Sequence, residues 1–319
     1  MKQTFRFLLV LAAVMLTAAA VRAVPQKPAA VTAGSGKKSN VRMVISRQPY
    51  IGAIVVDAAS GKVLFEDQAD AKGYPASVLK LMDLLVIIEN IEQGRLSLQD
   101  QVPVSAKASK TGGSQVWLAE KETFTVDDML YALMVQSAND AAVALAEKVG
   151  GTTEEFVELM NQKAKALGMA STVFHSVHGL PPGAGQEHDE TTARDLSILC
   201  RELLKHPDVL RYTSTRERPF RPDAGKKTVV MRTHNHLMGK VEGCDGLKTG
   251  YFVEAGYSIA VTAARKGQRV VAVVLGSRDI KVRDSKAAEL VAKGFAAMPP
   301  PVAAAAAGAK PKAPAAAKH

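Results

Sequence analysis

The chain has 319 residues, of which 47% are hydrophobic and 23% are charged. Its length and composition are ordinary for a soluble globular protein with one large domain or two smaller ones, and they exclude a chain that has no hydrophobic core. The formal net charge of +10 is compatible with nucleic acid, a membrane surface or an anionic polymer as a partner and decides between none of them.

The N-terminus has the pattern of a secretory signal. Lys2 and Arg6 precede an apolar run over residues 8–16, and small residues lead to a cleavage point near Ala20 or Ala23. The run is shorter than the ~20 apolar residues that span a bilayer, although an uncleaved anchor is the alternative. Export to the periplasm or cell envelope argues against nucleic acid. It favours anionic envelope polymers, with at most a weak association with the membrane surface.

Two segments have the composition of a linker or a tail. Residues 24–43 are rich in Pro, Ala, Gly, Ser and Lys, and residues 298–319 combine consecutive prolines with a run of Ala. We therefore expect a signal peptide at 1–23, a flexible linker at 24–43, a folded domain at 44–297 and a disordered tail at 298–319. The tail has no amphipathic pattern, so we expect no membrane anchor there.

Both ends of the expected domain have β-hairpin patterns, and its middle has helical ones. Strands are predicted at 51–56 and 62–65, and again at 256–263 and 269–275. Helices are predicted at 76–93, 126–134, 140–148, 154–167, 192–204 and 283–295. This order indicates an α/β (α+β) fold, in which terminal strands form an antiparallel sheet flanked by helices, with a mainly helical inserted lobe.

The first motif that carries chemistry is Ser77-Val78-Leu79-Lys80, at the start of a helix that is apolar nearly all round. Positions three apart share a helix face, so the hydroxyl and the amine can meet. To act as a base, Lys80 must lose its proton near pH 7, which requires a pKa about three units below ~10.4. Burial and a nearby second cation can cause such a shift. The alternative is a lysine that reaches solvent from an ordinary core helix.

The second motif is Ser137-Ala138-Asn139, between two predicted helices. Ser137 can relay a proton between amines, and Asn139 can hydrogen-bond a substrate amide. Helix capping is the alternative for both residues, because Ser and Asn favour such junctions.

The third motif is Lys248-Thr249-Gly250, which continues into residues that predict a strand. On a strand, Lys248 can face a carboxylate, Thr249 can add a hydroxyl, and Gly250 can admit a second backbone. A second copy at 110–112 lies in a polar stretch that predicts a loop.

Histidines and cysteines allow competing interpretations. A zinc site would draw on His175, His178, His188, His234 and His236. These residues lie in loop-like stretches without a His-Glu-x-x-His pattern, so we predict no metal.

The two cysteines are Cys200 and Cys244. Export would permit a disulfide between them, but two cysteines make no disulfide framework in a chain of this size. Buried free thiols are the favoured interpretation.

With the three motifs in place, the chain resembles the low-molecular-mass penicillin-binding proteins, the serine D-alanyl-D-alanine carboxypeptidases, over roughly residues 45–296. Further segments support the resemblance: Tyr74-Pro75-Ala76, Gly112-Gly113-Ser114, Asp140-Ala141-Ala142, Met160-Asn161, Leu167-Gly168-Met169, His178-Gly179-Leu180, Thr192-Ala193-Arg194-Asp195-Leu196 and Asp245-Gly246-Leu247. It implies the fold of the serine β-lactamases and the D-Ala-D-Ala stem peptide of peptidoglycan as substrate. β-Lactam antibiotics would be inhibitors, and no cofactor is implied.

The resemblance also implies residue roles. Ser77 would be acylated, Lys80 would take its proton, and Ser137 would help to pass a proton to the leaving D-alanine. Lys248 would bind the terminal carboxylate with assistance from Arg283.

The backbone N–H groups of Ser77 and Tyr251 would form the oxyanion hole. Val78 and Leu79 stand where the family often carries Thr, which predicts a drier pocket around Lys80. The chain ends too early for the C-terminal domain or anchor helix of many relatives, which implies an anchor-free enzyme.

We therefore predict a serine-type D-Ala-D-Ala carboxypeptidase that forms an acyl-Ser77 intermediate and is acylated by penicillin. A DD-endopeptidase that cuts peptidoglycan cross-links uses the same groups and stays open. A class A β-lactamase would need a Glu-x-x-Leu-Asn segment, which is missing between Asn139 and Lys248, so we expect a long-lived penicilloyl adduct. A non-catalytic envelope-binding protein and a zinc peptidase are less favoured interpretations of the same chain.

Overall fold

The computed structural model describes residues 49–221 and 228–300. Its centre is a five-stranded antiparallel sheet in the order β2-β1-β9-β8-β7. The strands in these two ranges are β1 (Gly52–Asp57), β2 (Val63–Asp67), β3 (Gln101–Pro103), β4 (Thr123–Thr125), β5 (Glu217–Phe220), β6 (Val229–Arg232), β7 (Cys244–Phe252), β8 (Gly256–Arg265) and β9 (Gln268–Ser277). Outside the main sheet, β3 pairs with β4 and β5 pairs with β6.

The sheet joins the two ends of the domain, as predicted. Gly52 of β1 lies opposite Leu275 of β9, and Val56 lies opposite Val271. The inner strands are buried along almost their whole length, which follows from helices covering both faces. The predicted α/β fold with an inserted helical part is confirmed.

The helices are α1 (Lys80–Glu92), α2 (Ala106–Ser109), α3 (Val126–Tyr131), α4 (Asn139–Gly150), α5 (Thr153–Ala166), α6 (Ala193–Leu203), α7 (Val209–Thr213) and α8 (Ile280–Ala297). Several begin at a residue whose side chain accepts a hydrogen bond from the N–H three positions on, as Thr152, Thr192 and Asp279 do. In the two described ranges, no helix combines the length and apolar character needed to cross a bilayer.

Two hydrophobic clusters hold the layers together. The larger one lies on the side of the inserted helices and centres on α1, whose residues 80–88 are all buried. The smaller one lies between the other sheet face and α8, where Val261 and Val274 pack near Leu290. The helix that carries Lys80 is thus enclosed by protein on all sides, as its apolar sequence predicts.

Some element boundaries differ from the predictions. The first predicted helix begins as a 3-10 turn, Ala76–Leu79, and becomes α-helical only at Lys80. The second ends in a π-helical segment, Ala132–Gln136. The last begins at Ile280, three residues early, because Asp279 caps it.

The expected domain limits can be compared with the structure only in part. The expected tail begins with Met298, which packs against the α8 cluster, and the carbonyl of Pro299 accepts a hydrogen bond from Gln268. The signal peptide, the linker and the remainder of the tail lie outside the described residues. The assignment of these segments stays a prediction.

Both cysteines are free thiols, the favoured interpretation. Cys200 is fully buried in α6, and burial raises the pKa of its thiol. Cys244 begins β7 and is partly buried. Such thiols behave as small apolar side chains.

Candidate active site

The predicted nucleophile and base are in contact. Lys80 Nζ lies 3.0 Å from Ser77 Oγ. Ser77 belongs to the 3-10 turn and Lys80 is the first residue of α1, so the two side chains lie on the same side of the helix entrance. Lys80, Val78 and Leu79 are all 0% exposed. The dry surroundings predicted from Val78 and Leu79 are therefore present.

Lys80 has three hydrogen-bond partners. Besides Ser77 Oγ, its Nζ donates to Asn139 Oδ1 and to the backbone carbonyl of His178, each at 2.8 Å. A protonated amine uses all three partners as acceptors. A neutral amine still donates hydrogen bonds to two of the partners, and its lone pair accepts the Ser77 hydroxyl proton. The arrangement therefore accommodates the amine before and after proton transfer.

Burial lowers the pKa of Lys80 from its usual value to about 8, and the carboxylates of Asp83, Asp189 and Asp140 oppose this shift. A pKa of about 8 leaves roughly a tenth of the amine neutral at pH 7. From the sequence, burial and a second cation were the predicted causes of a lowered pKa. In the structure, only burial lowers the pKa of Lys80.

Ser137 and Asn139 lie where the π-helical segment gives way to α4. Ser137 has a left-handed backbone, with φ 61°, a conformation that costs energy for a residue with a side chain. It is buried, with 3% of its surface exposed. Asn139 donates from Nδ2 to the carbonyl of Gly112 at 2.8 Å, while its Oδ1 accepts from Lys80. The contact of Asn139 with substrate stays a prediction. In the structure, its side-chain oxygen accepts a hydrogen bond from Lys80.

Strand β7 runs directly beside the nucleophile. A Cβ placed on Gly250 would lie 2.6 Å from the carbonyl oxygen of Pro75 and 2.9 Å from the backbone nitrogen of Ser77. Only glycine permits this approach, so the prediction that Gly250 admits another backbone is confirmed. A Cβ on Gly179 would lie 3.0 Å from the same Ser77 nitrogen. The turn that carries Ser77 is thus held between two glycines.

Lys248 is 3% exposed on β7, and Thr249 is also buried. The Nζ of Lys248 donates to the carbonyl of Thr249 at 2.9 Å. Burial lowers the pKa of Lys248 well below its usual value, and the charges of Lys80 and Arg283 lower it further. Lys248 therefore lies in a positive region of the cleft.

Arg283, one turn into α8, is buried and donates from Nε to Asp284 Oδ1 at 2.8 Å. Tyr251 follows Gly250, is 51% exposed and stacks on Tyr257 with ring centroids 4.1 Å apart. The predicted roles of Arg283 in carboxylate binding and of the Tyr251 N–H in the oxyanion hole stay predictions.

Comparison with known proteins identifies the family. The sequence model of the family described as D-alanyl-D-alanine carboxypeptidase matches residues 48–279. The chain belongs to this family. It is similar to the D-alanyl-D-alanine carboxypeptidase DacF of Bacillus subtilis (strain 168), with 36% identity over 243 residues that cover 76% of this chain and 61% of DacF.

Two further comparisons give the extent of the likeness. DacC of Escherichia coli (strain K12) is 35% identical over 249 residues, 76% of this chain and 60% of DacC. Penicillin-binding protein D2 from Listeria monocytogenes in the ampicillin-bound form superimposes with a TM-score of 0.69 and 31% identity, over 78% of this chain and 99% of that one. The chain thus spans about three fifths of the length of DacF and DacC.

The histidines of this family member are dispersed. The carbonyl of His178 bonds Lys80, His188 stacks on Tyr74 with centroids 4.1 Å apart, and burial lowers the pKa of His234 to about 4. Among the residues that the structure describes, no three His, Cys, Asp or Glu side chains are grouped to hold a metal.

Three residues of the site were not predicted from the sequence. The segment His178-Gly179-Leu180 supported the resemblance, but the sequence assigned no role to the His178 carbonyl or to Gly179, because both act through the backbone. Asp83 is different, because it interrupts an otherwise apolar helix three residues after Lys80, and this signal was present in the sequence. It is 2% exposed.

Proposed function

We propose that the protein is a serine-type D-Ala-D-Ala carboxypeptidase that removes the terminal D-alanine from peptidoglycan stem pentapeptides. The observation that carries the proposal is the 3.0 Å contact between the buried amine of Lys80 and the hydroxyl of Ser77, which is partly exposed. A buried amine in contact with an alcohol that a substrate can reach is what nucleophilic attack on an amide requires.

In the proposed acylation, neutral Lys80 takes the hydroxyl proton of Ser77 as Oγ attacks the carbonyl carbon between the two D-alanines. The tetrahedral oxyanion accepts hydrogen bonds from the backbone N–H groups of Ser77 and Tyr251. The C–N bond then breaks, and a proton passes from Lys80 through Ser137 to the leaving amine. Water later hydrolyses the Ser77 ester and restores the hydroxyl.

Lys248, Thr249 and Arg283 form the proposed carboxylate site. Lys248 uses one of its donors on a backbone carbonyl and lies near two other cations. A substrate carboxylate would relieve this repulsion and accept charge-assisted hydrogen bonds. Asn139 and Gly250 complete the proposed substrate-binding set, and no step of the reaction calls on a metal or cofactor.

β-Lactams are the proposed inhibitors, since ampicillin is bound to the similar penicillin-binding protein D2. They would acylate Ser77, and the acyl group would be hydrolysed slowly. The proposed location is the periplasm or cell envelope, with peptidoglycan stem peptides as partners and at most a weak association with the membrane surface.

The test is release of D-alanine from a purified pentapeptide, together with labelling by a fluorescent penicillin. Ser77→Ala should abolish both, whereas Ser109→Ala on α2 should change neither. Equal penicillin labelling of Ser77→Ala and the unaltered protein would overturn the proposal. Products from cross-linked and uncross-linked muropeptides would separate carboxypeptidase from endopeptidase, and a chelator should have no effect.

A further inference from the structure

Among the residues that the structure describes, Asp83 stands out as a buried carboxyl group without a hydrogen-bond partner. It lies three residues after Lys80 in α1 and is 2% exposed. Neither of its oxygens has a partner in the described part of the chain. Buried polar groups are nearly always hydrogen-bonded, so an exception next to a reactive lysine calls for an explanation.

The other carboxyl groups around Lys80 show what a structural aspartate looks like in this protein. Asp140 accepts from the backbone N–H groups of Val116 and Leu118. Asp189 accepts from two backbone N–H groups and from the hydroxyl of Ser176. Donors of this kind stabilise a carboxylate anion in a dry interior. Within the described ranges, Asp83 has no such donor.

Lys80 is the positive charge that favours an ionised Asp83 in these surroundings. Burial raises the pKa of Asp83 well above its usual value, the charge of Lys80 opposes this, and Asp189 adds to it. The same pairing acts on Lys80, where Asp83 is the first of three carboxylates that favour the protonated amine. Burial keeps nearby His178 neutral, with a pKa of about 4. The two groups are therefore coupled, and a dry interior cannot readily hold either charge alone.

We propose that the charges of Asp83 and Lys80 are coupled across one turn of α1, and that Asp83 thereby sets the fraction of Lys80 that is free base. An ionised Asp83 holds the proton on the amine, and a protonated Asp83 leaves the amine free to accept the proton of Ser77. Asp83 touches no reacting atom and is a positioning residue. The inference rests on the proposed function and adds a control of its pH range.

The first test is the pH profile of acylation by a fluorescent penicillin, measured as a rate. In Asp83→Asn the midpoint of the ascending limb should move to lower pH by about one unit, because a carboxylate that favours the ammonium form is gone. Asp83→Glu should stay near the unaltered profile. Glu92→Gln removes an exposed carboxyl from the same helix and should leave the midpoint unchanged. Coincident midpoints for Asp83→Asn and the unaltered protein would overturn the inference.

The second test does not depend on activity. Carbon-13 labelling of the lysine Cε atoms, with the Lys80 resonance assigned through Lys80→Arg, follows the titration of the amine directly. The same downward shift is expected in Asp83→Asn, and an unmoved titration contradicts the coupling of the two charges. If the unaltered protein is not acylated at all, the proposed function fails, while this titration still decides whether the two groups are coupled.

A third variant guards against misfolding. Asp83→Leu removes the carboxyl group and should lower the midpoint of acylation, while a cooperative thermal transition shows that the variant is folded. A folded variant with an unmoved midpoint would count against the inference. A folded variant with a displaced pH profile would support it.

Discussion

Lys80 and Lys248 are both buried lysines of one cleft, and they differ in what surrounds them. Lys80 has three hydrogen-bond acceptors and lies near three carboxyl groups. Lys248 donates to one backbone carbonyl and lies near two cations. The first environment satisfies the amine in either protonation state. The second keeps donors and positive potential available for an anion.

The difference teaches that burial alone assigns no role to a lysine. Burial is the largest influence on both pKa values. The neighbours decide whether the amine exchanges protons with an alcohol or attracts a carboxylate. Four experiments can break or sharpen this contrast.

The largest expected effect is that of Lys80→Met. It removes the base while keeping an unbranched side chain in the core, so the acylation rate should fall by about 10³-fold. Stopped-flow measurement with a fluorescent penicillin checks this. Lys110→Met, in the exposed second copy of the third motif, should have no effect. A loss below tenfold for Lys80→Met would give the base role to another residue.

Lys248→Met should act on binding instead. For a peptide with a free terminal carboxylate, kcat/KM should fall by about 10- to 100-fold, the range for losing a hydrogen bond to a charged group. A peptide with a terminal amide already lacks the anion and should change little. Equal losses for the two peptides would contradict the proposed carboxylate site.

Gly250→Ala tests how closely β7 must approach Ser77. The new methyl group would meet backbone atoms of Pro75 and Ser77, so the strand and the turn must separate. We expect the free energy of unfolding to fall by about 1–3 kcal/mol, with slower acylation. Urea unfolding and penicillin labelling measure the two effects. Gly112→Ala is the control, because its methyl group would meet no atom within 4 Å.

The last prediction concerns stability and pH. The folded pKa of Lys80, about 8, lies below its unfolded value, so the unfolded chain binds more protons between pH 8 and about 10.5. The free energy of unfolding should therefore rise with pH across this window, by up to about 1.4 kcal/mol per pH unit from Lys80. Urea unfolding of Lys80→Met should show a smaller rise, and parallel curves would contradict the shift.

Much of the site could be predicted because its chemistry is carried by side chains at fixed spacing. Three-residue spacing placed Ser77 beside Lys80, apolar neighbours predicted the burial of Lys80, and the strand pattern after Gly250 predicted β7. The terminal hairpins followed from alternating patterns and turn residues, and they form the main sheet.

The remainder depends on tertiary contacts that leave little trace in the sequence. The carbonyl of His178 bonds Lys80 only because a distant loop folds over Ser77, and any residue type has a carbonyl there. The π-helical segment before Ser137 and the short helix α7 have no distinct composition. Asn139 was predicted from its side chain as a substrate ligand, yet its observed contacts depend on where the Gly112 loop lies.

Strand β7 is an edge strand of the main sheet, and in the described ranges no other strand pairs with its outer edge. An unpaired edge offers main-chain N–H and C=O groups to any extended chain laid alongside it. Recognition by such an edge depends little on which side chains the bound peptide carries. Under the proposed function, the enzyme would discriminate by backbone configuration and by the charge at the peptide end, and would tolerate different residues further along the peptide.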